Sequence, residues 1–189
     1  SLKKSYEYIP RMNWTKSNDL LYILAMNRHQ NELDFILYNT ASSSSKILFS
    51  EIDKYYIDIH DNTHFTDDGQ SLIWTSEKSG FNHIYLINLK NGQSQQVTTG
   101  NWEVTKYHGM KHDDNKVFYT SNEEGTINKS LYCINLDGSN KTKLSKDIGT
   151  HSSTFSNGMK YYSNTYSNAD TPPYISLHND SGKEIRVLE

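Results

Sequence analysis

The sequence predicts an all-β chain made of four four-stranded antiparallel sheets, repeated along its length. Three observations predict it. Aromatic residues make up 12% of the chain, with 14 Tyr, and Tyr, Ser and Asn exceed Leu and Ala, a balance that favours strands and turns over helices. Two phrases recur at a period of about 45 residues, the signature of a repeat architecture. The third strand, as in Ile84 to Leu89 of the second repeat, is apolar on both faces, whereas a sheet with one wet face would alternate polar and apolar residues.

The elements follow in order. The first repeat is the weakest, with Trp14, then Leu20 to Asn27, Asp34 to Asn39 and Lys46 to Leu48 as its strand positions. Ile47 to Tyr56 carries apolar residues at Ile47, Leu48, Ile52, Tyr55 and Tyr56, so a short connecting helix or an irregular loop both fit there. This linker lengthens the first repeat. In the second, the strands are His64 to Thr66, Leu72 to Ser76, His83 to Leu89 and Gln95 to Thr98. Phe65-Thr-Asp-Asp-Gly69-Gln-Ser-Leu-Ile-Trp74 is echoed by Met110-Lys-His-Asp-Asp-Asn115-Lys-Val-Phe-Tyr119 and by Phe155-Ser-Asn-Gly158-Met-Lys-Tyr-Tyr162. Each reads as strand, tight turn, strand. Asp-Gly and Asn-Gly predict type I′ turns, whose two central residues both need positive φ. The turn residues Gly69, Asn115 and Gly158 are 46 and 43 apart.

The second phrase, His83-Ile-Tyr-Leu-Ile-Asn-Leu89, returns as Ser130-Leu-Tyr-Cys-Ile-Asn-Leu136 and more loosely as Tyr174-Ile-Ser-Leu-His-Asn179, each running on to a glycine. Those glycines, Gly92, Gly138 and Gly182, are 46 and 44 apart. Trp74, Tyr119 and Tyr162 fall at equivalent points of the second strand, which points to core rather than to a ligand site. A four-stranded meander covered on both faces is the sheet of a β-propeller blade. A β-sandwich of irregular strands would give no reason for the period. Residues 1–189 are therefore read as one partial propeller with blades at about 8–50, 51–100, 101–148 and 149–189.

Composition excludes several functions. The longest apolar run is seven residues, Leu20 to Met26, against the ~20 that cross a bilayer. The first residues, SLKKSYEYIPRMNW, have no apolar h-region. With 19 basic and 22 acidic residues and no lysine run, nucleic acid is not an expected partner. The single Cys133 rules out an intramolecular disulfide and a Cys-based zinc site.

Chemistry-bearing residues are sparse. No Gly-x-Ser-x-Gly elbow and no His-Glu-x-x-His helix occur. His108 and His112 stand four apart, but in a strand-turn region that does not converge them on one ion. Asp67-Asp68, Asp113-Asp114 and Glu123-Glu124 sit at turns, where adjacent carboxylates point apart into water instead of converging across a cleft. Arg11, Arg28 and Arg186 are the only arginines, and the Ser-x-Asp-x-Gly-x-Thr-Trp box of sialidase-like propellers is absent. Four sequons, at Asn13, Asn128, Asn140 and Asn179, are what 19 Asn and 38 Ser and Thr provide by chance. No catalytic, cofactor-binding or metal-binding residue is assigned, and no cofactor is expected.

Tyr8-Ile-Pro-Arg-Met-Asn-Trp14, Asn27-Arg-His-Gln-Asn31, Phe65 to Glu77 with Gly80-Phe-Asn-His-Ile-Tyr85, Thr99-Gly-Asn-Trp-Glu-Val104, Gly149-Thr-His-Ser-Ser-Thr-Phe155 and Ser167-Asn-Ala-Asp-Thr-Pro-Pro173 carry a resemblance. Together these runs resemble the N-terminal propeller of dipeptidyl peptidase IV-like serine peptidases, and most closely bacterial members of the Bacteroides-like kind. The resemblance implies four blades of an eight-bladed propeller, its C-terminal half, in an enzyme that releases N-terminal dipeptides with Pro or Ala at the second position. It implies that the catalytic triad lies in an α/β-hydrolase domain after Glu189 and that the amine-binding glutamate pair lies upstream of Ser1, so neither carries over to this chain. Mammalian relatives place an arginine near the active site in the stretch matching Tyr55 to His64, and this sequence has none there.

The expected partners are thus a peptide substrate in the full-length protein, the hydrolase domain, and a second copy of the fragment through bare blade faces; nucleic acid and a membrane segment are not expected. A periplasmic, cell-surface or secreted location follows from the resemblance. The competing reading is a stand-alone interaction propeller of the TolB or WD-like kind.

Overall fold

The structure is a computed structural model and describes residues 4–189. Sixteen strands fill it, with a single 3-10 turn at His112–Asp114 as its only helix among the described residues. They form four sheets, each in simple sequence order. The first holds β1 (Tyr8–Trp14), β2 (Leu20–Met26), β3 (Glu32–Asn39) and β4 (Ser44–Ile52). The second holds β5 (His64–Phe65), β6 (Ser71–Ser76), β7 (His83–Asn88) and β8 (Ser94–Gln96). The third holds β9 (Val104–Lys111), β10 (Lys116–Ser121), β11 (Ser130–Asn135) and β12 (Thr142–Lys143), and the fourth β13 (Thr150–Phe155), β14 (Tyr161–Ser167), β15 (Tyr174–Asn179) and β16 (Glu184–Val187). The meander follows from hairpin turns too short for a crossover.

The chain divides into two compact units: the described residues up to Lys78 with Leu86–Gln95, and Ser79–Tyr85 with Gln96–Glu189. In the first unit the core is aromatic. Phe35 stacks on Tyr22 (centroids 5.3 Å apart) and Phe49 (5.1 Å), and meets the edge of Trp74 at 5.8 Å. In the second unit Phe118, Leu131, Cys133, Leu144, Met159 and Tyr162 form one buried cluster with Phe155 packed on it. The expected core aromatics Trp74, Tyr119 and Tyr162 are each no more than 2% exposed. Third strands β3, β7 and β11 are mostly buried on both faces.

Two expectations are corrected. The helical spacing over Ile47 to Tyr56 does not make a helix: β4 runs to Ile52, because pairing from Glu32↔Ile52 to Asn39↔Ser44, broken by a bulge at Leu48, completes the backbone bonding of β3 on its open side. After it, Asp53 Oδ1 accepts the amides of Tyr55 and Tyr56, a local turn that opens an irregular connector. The first-to-second-strand turns are also not type I′. Each has a single positive φ, at Gly69 (64°), Asn115 (50°) and Met159 (54°), just after a bond from that residue's amide to the carbonyl three back. Gly158 has no positive φ, so the equivalent residue is Met159, and the true spacing is 46 and 44, as in the other phrase.

Met159 stays in a left-handed conformation that costs a side chain about 1–2 kcal/mol because the same side chain fills the core of the second unit. Met159→Ala would keep the backbone cost and lose the packing. Met159→Gly loses the packing but relieves the backbone, and is expected to be about 1 kcal/mol less destabilising than Met159→Ala. Paired urea unfolding curves check this; equal losses would show the conformation to be unstrained.

The turns between third and fourth strands repeat a second device. Asn39, Asn88 and Asn179 cap them, each accepting an amide from the following residues through its side-chain oxygen. In the last three sheets a positive-φ glycine follows, and its α-carbon sits against the backbone of the preceding sheet's fourth strand or its end: Gly92 at Leu48, Gly138 at Val97 and Gly182 at Leu144.

Asp34 on β3 is the one carboxylate buried among these strands, 1% exposed. Burial works against its charge, but donors from Ser50, Tyr6 and Lys4 outweigh it and hold the carboxyl below the usual range. The Tyr6 hydroxyl donates at 2.7 Å and Lys4 Nζ at 3.0 Å, so the segment before β1 is fixed to the sheet.

Candidate functional site

The residues singled out by sequence do not assemble. His108 lies on β9 with Nε2 2.8 Å from the Thr120 hydroxyl and its ring against Phe155, and burial, helped by Lys106, pushes its pKa down to about 4. His112 is in the 3-10 turn. No group of three or more metal-ligating side chains forms among the described residues. Asp68 accepts the Thr66 hydroxyl and the Gln70 amide inside its own turn, and Asp67 pairs with Lys16. Asp114 pairs with Lys111, Glu123 with Lys141 and Glu124 with Lys143. Local turn bonds and ion pairs therefore account for these carboxylates.

The stretch between β4 and β5, residues 53–63, is where chemistry gathers in the first unit. It presents Tyr55 at 76% exposure and Tyr56 at 52% while Ile57 is buried. The backbone of Asp53 and Ile57 donates to Asn31 and Gln30, which fixes the start of the connector to the turn between β2 and β3. At its far end His60 Nε2 is 2.6 Å from the Thr75 carbonyl, Nδ1 accepts the Asn62 amide at 3.2 Å, and the ring lies 4.3 Å from Trp74. Burial lowers the His60 pKa, so the ring is neutral at pH 7.

An arginine does reach this connector, although the stretch itself contains none. Arg11 on β1 pairs through Nε with Asp61, fifty residues away. The ion pair holds the exposed Asp61 carboxyl below its ordinary value. On the other side, Trp74 Nε1 donates to Glu51 Oε1 at 2.9 Å. Burial raises the Glu51 pKa against the donors Ser76 and Trp74, and lowers that of Lys78 against the charge of Glu51. Exposed tyrosines, a guanidinium and a carboxylate on a hydrogen-bonded connector can bind and orient a polar chain. They do not form a nucleophile-base pair, so this arrangement offers contact rather than bond cleavage.

Comparisons with known proteins agree on the relatives. The family described as "Dipeptidyl peptidase IV (DPP IV) N-terminal region" matches residues 1–173. Dipeptidyl peptidase 4 of Sus scrofa is 33% identical over 135 residues, covering 67% of this chain and 17% of its own length. The solved dipeptidyl peptidase 4 of Porphyromonas gingivalis superposes with a TM-score of 0.87 at 39% identity, over 96% of this chain and 26% of that one. A Bacteroides ovatus protein provisionally described as a dipeptidyl aminopeptidase IV gives 0.83 at 24% identity, over 96% of this chain and 29% of that one, and shows the fold alone. The chain thus spans a sixth to under a third of the length of these relatives.

Proposed function

The chain belongs to the dipeptidyl peptidase IV N-terminal-region family, and from that premise we propose that it is the propeller part of a serine-type dipeptidyl peptidase. The observation that carries the reading is the likeness over 96% of the chain to the Porphyromonas gingivalis enzyme; a stand-alone TolB or WD-like propeller would not share the runs around Asn27 and Asp170. In the full-length protein the sheets wall the catalytic chamber, admit short unfolded peptides and orient them. A C-terminal α/β-hydrolase domain is the partner that performs acyl transfer by Ser, His and Asp, releasing N-terminal dipeptides with Pro or Ala second. Its blades are those bounded at about 8–50, 51–100, 101–148 and 149–189. The protein acts in the periplasm, at the cell surface or as a secreted enzyme; among the described residues no helix is long and apolar enough to cross a membrane.

The test compares the full-length protein with this chain alone on a Gly-Pro chromogenic substrate. Activity in the first and none in the second is expected. A folded but inactive full-length protein would return the reading to an interaction propeller. Within the active enzyme, Tyr55→Ala and Arg11→Ala are expected to raise KM by about three- to tenfold with kcat unchanged, because uniform binding contacts act on KM. A fall in kcat at constant KM would remove the connector from substrate contact.

The isolated chain is expected to self-associate. Tyr8, Ile9, Met12 and Trp14 on β1 are all at least 45% exposed, as are Ile185 and Val187 on β16 and Leu188 beyond it. Such faces are built to pack at ~10 Å on a further sheet. Light scattering at working concentration should give a species above 21.8 kDa; a clean monomer would remove the proposal.

A further inference from the structure

Three histidines recur at the links between successive sheets, and all use their two ring nitrogens in the same way. His60 in the connector 53–63 has Nε2 on the Thr75 carbonyl of β6. His83 on β7 has Nε2 3.0 Å from the carbonyl of Gly100 in the next connector, 97–103. His151 on β13 has Nε2 2.9 Å from the carbonyl of Asp147 in the connector 144–149. A carbonyl can only accept, so each Nε2 carries the proton. Nδ1 is then an acceptor in all three: from the Asn62 amide at 3.2 Å, the Thr98 hydroxyl at 3.1 Å and the Asn164 side-chain amide at 3.1 Å. Each ring is also wedged against an aromatic side chain, Trp74, Trp102 and Tyr166 respectively.

We propose that these three histidines form an acid-sensitive set of latches on the connectors, closed while the imidazoles are neutral and released when Nδ1 takes up a proton. A second proton forces a rearrangement of the partner at each site. At His60 it would face the Asn62 N–H. At His83 it would face Thr98 Oγ1, which already accepts the Ile84 amide and would have to turn its own proton away. At His151 it would face the Asn164 side-chain N–H, and meeting it would need a flip of that amide, which turns the 3.0 Å bond with the Ser153 hydroxyl from acceptor to donor. His83 and His151 are 1% and 5% exposed, so a charged ring at either position is poorly solvated while the connector stays closed.

The charged surroundings decide the sign. Asp58 and Asp61 favour protonation of His60 while Arg11 opposes it, and Glu51 stands beyond Trp74. Only Lys141 acts on His83, and it opposes protonation. Around His151, Asp147 favours the cation and Lys143 opposes it; Glu124 lies within electrostatic reach, and Lys146, His178 and Glu184 line the adjacent cavity of about 30 Å³. Burial dominates all three and lowers each pKa below its ordinary 6.5. The open form therefore binds more protons than the closed one. The latches are fully closed above pH 6.5 and weaken as the pH falls through the folded values, by up to about tenfold per histidine per pH unit.

Urea unfolding of the chain between pH 7.5 and 5.0 reads the device, in wild type and in His60→Gln, His83→Gln, His151→Gln and the triple variant. Glutamine can still donate to the carbonyl but does not titrate. Each single variant is expected to remove one proton from the uptake on opening, and the triple variant to flatten the dependence by up to about a thousandfold per pH unit in the opening equilibrium. An unchanged slope in the triple variant overturns the proposal. Nitrogen-15 chemical shifts of the wild-type imidazoles decide it independently of variant folding: Nε2–H tautomers with midpoints below 6.5 are expected, and an Nδ1–H tautomer or a midpoint at or above 6.5 in these residues overturns it.

Discussion

Gly92→Ala is expected to destabilise the chain by about 4 kcal/mol, a loss reserved for substitutions that break a specific backbone arrangement. Gly92 has φ 74°, and an alanine Cβ there would stand 2.1 Å from the Leu48 carbonyl oxygen, well inside contact distance. Leu48 is the buried bulge residue of β4, set between the Phe35↔Phe49 and Ile36↔Ile47 pairs, so its carbonyl can retreat only by shifting those paired neighbours. Gly69→Ala supplies the control. Its φ is 64°, but the nearest atom to a new Cβ is Lys16 Cβ at 3.9 Å, so only the left-handed backbone cost of about 1–2 kcal/mol applies. Denaturant midpoints of the two variants, compared with wild type, separate contact from conformation. Similar losses in both would mean that the sheet-to-turn contact at Leu48 is soft.

The same contrast explains what could be read from the sequence. Turn glycines and the asparagines before them mark the period because positive φ and side-chain capping constrain residue type locally, and local constraints are written locally. Apolar third strands were legible because burial on both faces leaves few polar positions, and those that remain, such as Asp34 and His83, are hydrogen-bonded. Met159 was not: the turn's left-handed residue is chosen by its place in the core, and Asn157-Gly158 beside it sends the more familiar signal. The segment from Ile47 to Ile52 was ambiguous because its spacing suits a helix, and only pairing with β3 decides for the strand. In the candidate site, resemblance pointed to Tyr55 to His64 but not to what holds it. Arg11 and Asp61 are fifty residues apart, and the histidine latches depend on partners such as Thr75, Gly100 and Asn164 that no spacing rule connects to them.

Trp74→Ala is the second large effect expected, again near 4 kcal/mol, within the range for deleting a buried indole. Trp74 is 2% exposed and carries three kinds of contact at once. Its ring meets Phe35 and Phe49 edge-on, joining the first two sheets; its other side takes His60 from the connector; and its Nε1–H is bound by Glu51. Trp74→Phe keeps most of the packing and removes one of the two donors to Glu51, leaving Ser76, so a smaller loss of about 2 kcal/mol is expected from the lost hydrogen bond and the shortened ring. The two variants can be told apart by a second readout. Glu51 already sits above the ordinary carboxyl range because of burial, opposed by its donors. Losing the indole donor must raise it further, whereas a purely steric role for Trp74 would leave it unmoved in Trp74→Phe. Carbon-13 titration of the Glu51 carboxyl checks this. If it moves, the connector, the core and the Glu51 carboxylate share one residue, and the site's geometry depends on the same contact that holds the first two sheets together.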